Sequence, residues 1–269
     1  MSAKPTLDAA ERARREAAAY DEDRVWERNH AWNLRVPHVH GGPNTVRAED
    51  RARELMAEAV AGGGRALDVG CGDGRSSEAV LNLGAGYVLG IDVAPSMIEK
   101  AREIEQPGRM EFRLVDAHEP IAGEFDLVFG RSVLHHIDFR AFLERTYEQN
   151  LAPGGRMAFM EPLAHPMTLA FHRFVPSAHT PDERPLRPAD LRWMYGRFPL
   201  ARVVPMNLLS FPAGAVSSFV FSDADNPLTR AADRADRALE RPRLIPYHRQ
   251  GFLVIDKPST PGATATKFA

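Results

Sequence analysis

The stretch LDVGCGDG, residues 67–74, decides how this chain is expected to fold. An apolar run ends at Asp68, and glycines follow at Gly70, Gly72 and Gly74. Because glycine has no Cβ atom, the backbone can turn sharply there and lie close against a ligand. A strand that runs into a glycine-rich turn and then into a helix is typical of α/β sheets that bind nucleosides. The stretch therefore predicts a nucleoside site at the end of a strand.

Strand and helix patterns alternate through most of the chain. Strands are predicted, in order, at 65–69, 87–91, 110–115, 125–129, 156–160, 200–211 and 251–256. Helices are predicted at about 47–60, 75–83, 95–105, 138–150 and 227–241. Strands that alternate with helices of this length predict right-handed crossovers and a largely parallel sheet, which is an α/β fold.

Three segments flank or interrupt this alternation. Residues 1–60 are rich in Ala, Arg and Glu and are expected to form an N-terminal helical lid, irregular at 31–46. Within the core domain at 61–258, residues 162–199 form a proline-rich insert. Inserts of this length in compact domains are usually functional, so this one is expected to cover part of the binding site. Residues 259–269 are expected to form a flexible tail.

The composition argues against several functions. The chain has 269 residues with 34 basic and 36 acidic side chains, so no basic excess indicates nucleic acid or a membrane surface. Cys71 is the single cysteine, which excludes an internal disulfide and is typical of a reducing compartment. Neither a membrane-spanning apolar run nor the apolar core of a signal peptide is found. We expect a soluble cytoplasmic protein, either a monomer or a homodimer.

The glycine pattern departs from the dinucleotide fingerprint G-x-G-x-x-G. Counted from Gly70, the third glycine of that fingerprint would fall at position 75, which is Arg75. The chain instead has D-x-G-x-G-x-G from Asp68, and acidic residues close the next two strands at Asp92 and Asp116. Each of these carboxylates follows the previous one by 24 residues, which is one strand–helix unit. The three are therefore expected at neighbouring strand ends.

This arrangement resembles the signature of class I S-adenosylmethionine-dependent methyltransferases, and in particular a bacterial small-molecule subgroup. FDLVFGRSVLHHI and NLAPGGRMAFMEP look like the family's fourth and fifth strands, and HRQGFLVIDKP looks like its terminal strand. The resemblance covers about residues 65–162 and 200–258. It implies a Rossmann-like, doubly wound sheet of seven strands in the order 3-2-1-4-5-7-6, with strand 7 antiparallel, and S-adenosylmethionine as the cofactor.

The resemblance also implies which residues hold the cofactor. The glycine turn would lie against its methionine and ribose parts. Asp92 would accept hydrogen bonds from the ribose hydroxyls, and Asp116 would accept one from the adenine amino group. Acidic residues beside the turn are better matched to a cationic sulfonium than to a pyrophosphate. The predicted cofactor residues are Asp68, Gly70, Cys71, Gly72, Gly74, Asp92, Val93, Met97, Asp116, Ala117, His118, Gly130 and Arg131.

Two polar residues are candidates for catalysis. His135 follows the fourth strand, and an imidazole with its ordinary pKa of about 6.5 suits proton removal at neutral pH. Glu161 ends the fifth strand and is expected to face the same rim, because sites in such sheets lie at the carboxyl ends of strands. A structural hydrogen bond to the insert is the alternative role for Glu161. His38 and His40 have no third ligand nearby in the sequence, so no metal site is predicted.

The acceptor side is expected to involve the insert and the hinge of the lid. The candidate substrate-binding residues are Trp32, Arg35, His38, His165, Phe171 and His172. We expect methyl transfer to a small molecule of specialised metabolism, since the balanced charge argues against RNA or DNA. Three alternatives stay open: transfer to a peptide or protein side chain or terminus, a nicotinamide-dependent oxidoreductase, and a protein that binds S-adenosylmethionine without turnover.

Overall fold

The computed structural model describes residues 34–174 and 184–259, together with a few positions between 11 and 21. Part of the predicted lid, including Trp32, and the predicted tail beyond Ser259 lie outside the described residues. Among the helices that are described, none is both long enough and apolar enough to cross a bilayer. The domain limits expected from the sequence stay predictions.

A seven-stranded sheet forms the centre of the molecule. Its strands are β1 (Arg65–Val69), β2 (Tyr87–Asp92), β3 (Met110–Leu114), β4 (Phe125–Arg131), β5 (Leu151–Pro162), β6 (Ala201–Met206) and β7 (Gln250–Asp256). The order across the sheet is β3-β2-β1-β4-β5-β7-β6. β7 runs antiparallel to both of its neighbours, and the other pairs are parallel. The strand order and the antiparallel strand predicted from the sequence are confirmed.

Helices cover both faces of this sheet. They are α1 (Pro37–Gly41), α2 (Pro43–Val60), α3 (Arg75–Asn82), α4 (Pro95–Arg102), α5 (Phe139–Gln149), α6 (Pro166–Phe174), α7 (Pro188–Arg197), α8 (Ser210–Val220) and α9 (Pro227–Leu239), with a short 3-10 helix at Ile245–Tyr247. Proline begins many of these helices, where its missing N–H group costs nothing because the first turn has no partner for it.

The hydrophobic core is divided between the two faces of the sheet. On one face, Leu127 and Phe129 of β4 belong to the same buried cluster as Leu55 of α2. On the other face, Val128 of β4 is clustered with Phe142 of α5. Strands that are covered on both faces are apolar almost continuously. This continuity is why the sequence predicts the central strands so closely.

Two local predictions are wrong. The strand predicted at 200–211 ends at Met206, and Asn207 adopts a left-handed backbone with φ of 63°. The backbone N–H groups of residues 208–210 then donate to the carboxylate of Asp236 at 2.7–3.1 Å. A carboxylate at this position stabilises the first turn of a helix, so the chain enters α8 instead of continuing as a strand.

The irregular stretch predicted at 31–46 is helical from position 37 onward. Pro37 and Pro43, which the sequence analysis treated as breaks, begin α1 and α2. The predicted insert at 162–199 also contains regular structure, namely α6 and α7. The second half of the insert is joined to the end of β5, because the N–H group of Leu186 donates to the carbonyl oxygen of Pro162 at 2.9 Å.

Candidate functional site

A cleft opens where β1, β2, β3 and β4 end. This is the edge of an open parallel sheet at which ligands bind. The lining residues are Gly70, Gly72, Ile91, Asp92, Val93, Val115, Asp116, Ala117, His118, Arg131, Ser132, Val133, His136 and Ile137.

The turn after β1 forms one wall of the cleft and is fastened to the end of β2. The N–H groups of Gly70 and Cys71 donate to the carbonyl oxygen of Ile91 at 2.9 and 3.0 Å. The N–H group of Gly72 donates to Oδ2 of Asp92 at 2.9 Å. Gly70 and Gly72 have φ values of 69° and 53°, a left-handed region that glycine adopts without strain. The glycines therefore permit the turn, and Asp92 holds it in place.

The glycines of the motif have different tasks. A Cβ atom on Gly72 would meet no protein atom within 4 Å, so this backbone faces open space. A Cβ atom on Gly74 would lie 2.7 Å from Cζ of Phe112, and one on Gly130 would lie 2.6 Å from the carbonyl oxygen of Val69. Gly74 and Gly130 are needed for close packing and are not among the residues that line the cleft, so the cofactor contact predicted for them stays a prediction.

Two of the predicted carboxylates lie on the wall of the cleft. Oδ1 of Asp92 accepts from the N–H group of Ala94 at 2.9 Å, in addition to the bond from the glycine turn. Asp116 accepts from the backbone N–H and from Nδ1 of His118, at 2.9 and 2.7 Å. Both carboxylates are oriented by these bonds, because each carboxylate oxygen can accept more than one hydrogen bond. Side chains fixed in this way can present oxygen atoms to a ligand.

Asp68 is buried behind the turn and does not line the cleft. Its Oδ2 accepts from the hydroxyls of Ser76 and Ser77 at 2.6 and 2.7 Å, while its Oδ1 has no hydrogen-bond partner. Burial raises the pKa of Asp68 from 3.8 to about 6, against the opposing effect of the two hydroxyls. The nearby charge of Asp92 raises it further. At neutral pH this site therefore holds an ionised carboxylate at a cost in folding free energy.

The stability of the protein is expected to reflect this cost. The pKa of Asp68 is higher in the folded than in the unfolded chain, so folding takes up a proton between pH 3.8 and about 6. The free energy of unfolding should therefore fall, by up to about 3 kcal/mol, as pH rises through this range. Asp68→Asn should lack this contribution. Urea denaturation of both proteins at pH 4.5 and 7.5 measures the difference, and parallel pH profiles would contradict the assignment.

Two further residues of the predicted cofactor set are buried away from the cleft. Met97 packs on the inner face of α4. Cys71 belongs to the core cluster, and burial together with the charges of Asp68 and Asp92 raises the pKa of its thiol. A thiol held protonated in the core is not a nucleophile.

Six residues of the cleft were not predicted from the sequence. These are Ile91, Val115, Ser132, Val133, His136 and Ile137. Ser132 has a φ of 57°, a conformation that is uncommon outside glycine and concentrates at functional sites. Their position in the sequence could have identified them, because all six stand at the ends of β2, β3 and β4 or in the segments that follow these ends. Four of the six side chains are apolar and gave no chemical reason to select them, whereas Ser132 and His136 are polar.

Glu161 lies under the loop that follows β4 and is fully buried. Oε1 accepts from the N–H groups of Val133 and Leu134 at 3.0 and 2.9 Å. Oε2 accepts from the N–H group of His135 at 3.3 Å and is 2.6 Å from its Nδ1. Glu161 therefore does not face the open rim, contrary to the prediction, and it contacts the β4–α5 loop rather than the insert. Its carboxylate sets the tautomer of His135 with the proton on Nδ1.

The predicted acceptor residues are not brought together. His38 is buried in α1, where its Nδ1 lies 2.9 Å from the hydroxyl of Ser217 in α8. His165 is buried, and its Nε2 contacts the carbonyl oxygen of Leu208 at 3.1 Å. Arg35 is exposed. The side chains of Phe171 and His172, like Trp32, lie outside the described part of the structure. The acceptor contact predicted for His38 stays a prediction, and in the structure its side chain joins two helices.

Comparison with known proteins adds an independent observation. Residues 67–157 match the model of a protein family described as a methyltransferase domain. A ubiquinone biosynthesis O-methyltransferase of Nitrosococcus oceani is 29% identical over 154 residues, covering 52% of this chain and 65% of that protein. The protein of the same name in Xanthomonas axonopodis pv. citri is 33% identical over 112 residues, covering 40% of this chain and 46% of that protein. The chain thus spans less than two thirds of the length of these curated relatives.

A solved structure extends the likeness to most of the chain. Magnesium protoporphyrin IX methyltransferase from Synechocystis, with bound SAH, aligns with a TM-score of 0.59 at 15% identity, covering 91% of this chain and 99% of that one. This likeness shows the fold. The strand order defines an α/β fold, and residues 67–157 within it match a methyltransferase domain. The solved methyltransferase structure named above shares this fold.

Proposed function

We propose that this protein binds S-adenosylmethionine in the cleft and transfers its methyl group to a small-molecule acceptor. One observation carries the proposal. The glycine turn at 70–72, the carboxylate of Asp92 and the carboxylate of Asp116 stand on the wall of a single cleft. Charge-assisted hydrogen bonds from these carboxylates suit a ribose diol and an adenine amino group. The cofactor residues proposed are therefore those of the predicted set that line the cleft.

The charge of the site fits a cationic cofactor. The charge of Asp92 raises the cost of ionising Asp68, and Oδ1 of Asp68 is buried without a partner among the described residues. A positive charge nearby relieves such repulsion. When bound, S-adenosylmethionine supplies an electrophilic methyl group on a positively charged sulfur. The chain's own contribution is to orient the cofactor and exclude water, and positioning of this kind can lower a barrier by about 7–11 kcal/mol.

We assign proton removal from the acceptor to His135. The Nδ1–H group is directed at Glu161, so Nε2 is the nitrogen that accepts a proton. The ring of His136 lies against it, with 4.0 Å between the ring centroids. His136 lines the cleft, whereas His135 is 7% exposed. His136 is therefore the natural comparison for any test of the base.

Replacing His135 with alanine is expected to lower kcat about a hundredfold, because general bases contribute roughly 10²–10⁴ in rate. The affinity for SAH, measured by calorimetry, should stay unchanged. His136→Ala serves as the matched comparison. If His135→Ala keeps full activity towards a proton-bearing acceptor, His135 is not the base.

Replacing Asp92 with alanine is expected to weaken SAH binding by about 1.5–3 kcal/mol, the worth of hydrogen bonds to a charged group. The variant also frees the N–H groups of Gly72 and Ala94, so Asp92→Asn, which keeps an acceptor oxygen, should lose less. Asp73→Ala is the control, since its carboxylate is in the same turn but does not line the cleft. A loss of only a few tenths of a kcal/mol for Asp92→Ala would place the ribose elsewhere.

The acceptor class rests on two supports. The relatives named above as ubiquinone biosynthesis O-methyltransferases are small-molecule enzymes by name, and the charge balance gives no sign of a nucleic-acid surface. A role in specialised metabolism belongs to the same proposal. The test is incubation with S-adenosylmethionine labelled in its methyl group, together with a metabolite extract and, separately, a peptide extract. Label in the metabolites supports the proposal. Label confined to peptides, or no transfer by a protein that binds SAH, would overturn it.

A further inference from the structure

The guanidinium group of Arg249 lies near the end of β5 and has no acidic partner among the described residues. Arg249 directly precedes β7, and its Nη1 donates to Oε1 of Gln250 at 2.9 Å. Its guanidinium carbon lies 4.9 Å from the centre of the Phe211 ring. Within residues 34–174 and 184–259, no carboxylate forms an ion pair with it. A partly buried guanidinium is costly unless an anion accompanies it.

A second arginine flanks the same strand end from the other side. Arg131 ends β4 and pairs with Met160 of β5. On the opposite edge of β5, the N–H group of Leu163 donates to the carbonyl oxygen of Arg249 at 3.0 Å. β5 lies between the two arginines, and Arg249 is level with Leu163, three residues beyond Met160. Two strand spacings combined with this offset place the two backbones roughly 14 Å apart. Burial and the charge of Arg131 lower the pKa of Arg249 to about 10. The positive charges of the two arginines therefore repel each other.

The acidic groups nearby are occupied elsewhere. Glu49 lies 3.3 Å from Nη2 of Arg131 and is shared with Arg53 at 4.0 Å. Asp236 accepts from three backbone N–H groups at the start of α8 and forms no ion pair with Arg249. The positive charge of Arg249 is thus left uncompensated by the described carboxylates.

A neutral imidazole completes the arrangement. Nε2 of His40, in α1, is buried and has no hydrogen-bond partner in the described part of the chain. Burial and the charges of Arg249 and Arg131 lower the pKa of His40 to about 4. At neutral pH the ring therefore carries no charge and offers one donor and one acceptor nitrogen. It adds a directional hydrogen bond beside two cations.

We propose that Arg249, Arg131 and His40 form a subsite that binds an oxyanion of the acceptor, a carboxylate or a phosphate. The planar fork of arginine matches both groups with two parallel hydrogen bonds. Arg131 also lines the cofactor cleft, so the subsite adjoins the place where the methyl group would be delivered. This inference rests on the proposed methyl transfer and narrows its acceptor to anionic compounds.

The test uses calorimetry on the full chain saturated with SAH, with acetate, benzoate, inorganic phosphate and phenyl phosphate as probes, and benzyl alcohol as the neutral probe. Binding of at least one anion, and not of benzyl alcohol, is expected. Arg249→Met should weaken that binding at least tenfold, which corresponds to about 1.4 kcal/mol. Arg249→Lys should recover part of the affinity, because it keeps the charge and loses the fork. Preference between the carboxylates and the phosphates identifies the oxyanion.

Arg192→Met, at an exposed position on α7, is the matched control and should leave anion binding unchanged. Circular dichroism melting of each variant separates loss of the subsite from loss of the fold. Absence of binding for all four anions, or equal affinities in the wild-type protein and Arg249→Met, would overturn the inference. Failure of SAH itself to bind would instead refute the proposed function, so the two outcomes are distinct.

Discussion

Replacing Glu161 with alanine is expected to lower the free energy of unfolding by about 3–5 kcal/mol, as when a buried polar or charged group loses its partners. Three backbone N–H groups and the imidazole of His135 would then face an apolar interior with no acceptor. Urea denaturation at pH 7.5 measures the loss. The loop that follows β4 should also lose its position, so binding of SAH should weaken as well.

Two further variants test whether this loss of stability comes from the hydrogen bonds of the Glu161 carboxylate. Glu161→Gln keeps one acceptor oxygen but turns an NH₂ group towards backbone donors, so its loss of stability should be intermediate. Glu124→Ala removes an exposed carboxylate just before β4 and should change stability by no more than about 0.5 kcal/mol. A loss below about 1 kcal/mol for Glu161→Ala would show that the loop does not depend on the carboxylate.

The ends of the central strands were predictable because parallel strands are marked by apolar runs and end at one edge. That rule places Asp92 and Asp116 together without any knowledge of tertiary contacts, and both line the cleft. It fails for Asp68, whose side chain points towards the hydroxyls at the start of α3. A residue's position along the strand fixes which edge it occupies, but the packing of the next helix decides what it contacts.

Glu161 shows a second limit of sequence reasoning. Its place at the end of β5 was predicted correctly, yet its exposure was not, because the loop at 132–137 folds over it. Whether a strand-end carboxylate faces solvent depends on the path of a loop from the neighbouring strand. No pattern within β5 encodes that path. The same loop contains most of the cleft residues that the sequence analysis missed.

The arginine pair was beyond prediction for a related reason. Arg131 and Arg249 are far apart along the chain. They lie near the same end of β5 only because antiparallel β7 pairs with β5. The short helix that carries His40 lay in a stretch expected to be irregular. Pairings between distant segments depend on the whole sheet. Residues on the acceptor side are therefore harder to predict from sequence than those on the cofactor side, where a single glycine turn marks the site.

Replacing Gly72 with valine is expected to weaken SAH binding at least a hundredfold while the protein stays folded. Valine in a left-handed conformation is strained by roughly 1–2 kcal/mol, which distorts the turn. Its side chain would extend into open space on the wall of the cleft, since a Cβ atom there meets no protein atom within 4 Å. Calorimetry with SAH measures the loss of affinity, and thermal melting measures the stability.

Gly74→Val gives the opposite pattern and so serves as the comparison. A Cβ atom at Gly74 would lie 2.7 Å from the Phe112 ring, so this variant should be strongly destabilised. Gly72→Ala, with strain but without the two extra methyl groups, separates distortion of the turn from obstruction of the cleft. If Gly72→Val binds SAH with unchanged affinity, the cofactor does not lie against this turn, because a branched side chain and the ligand cannot share the same volume.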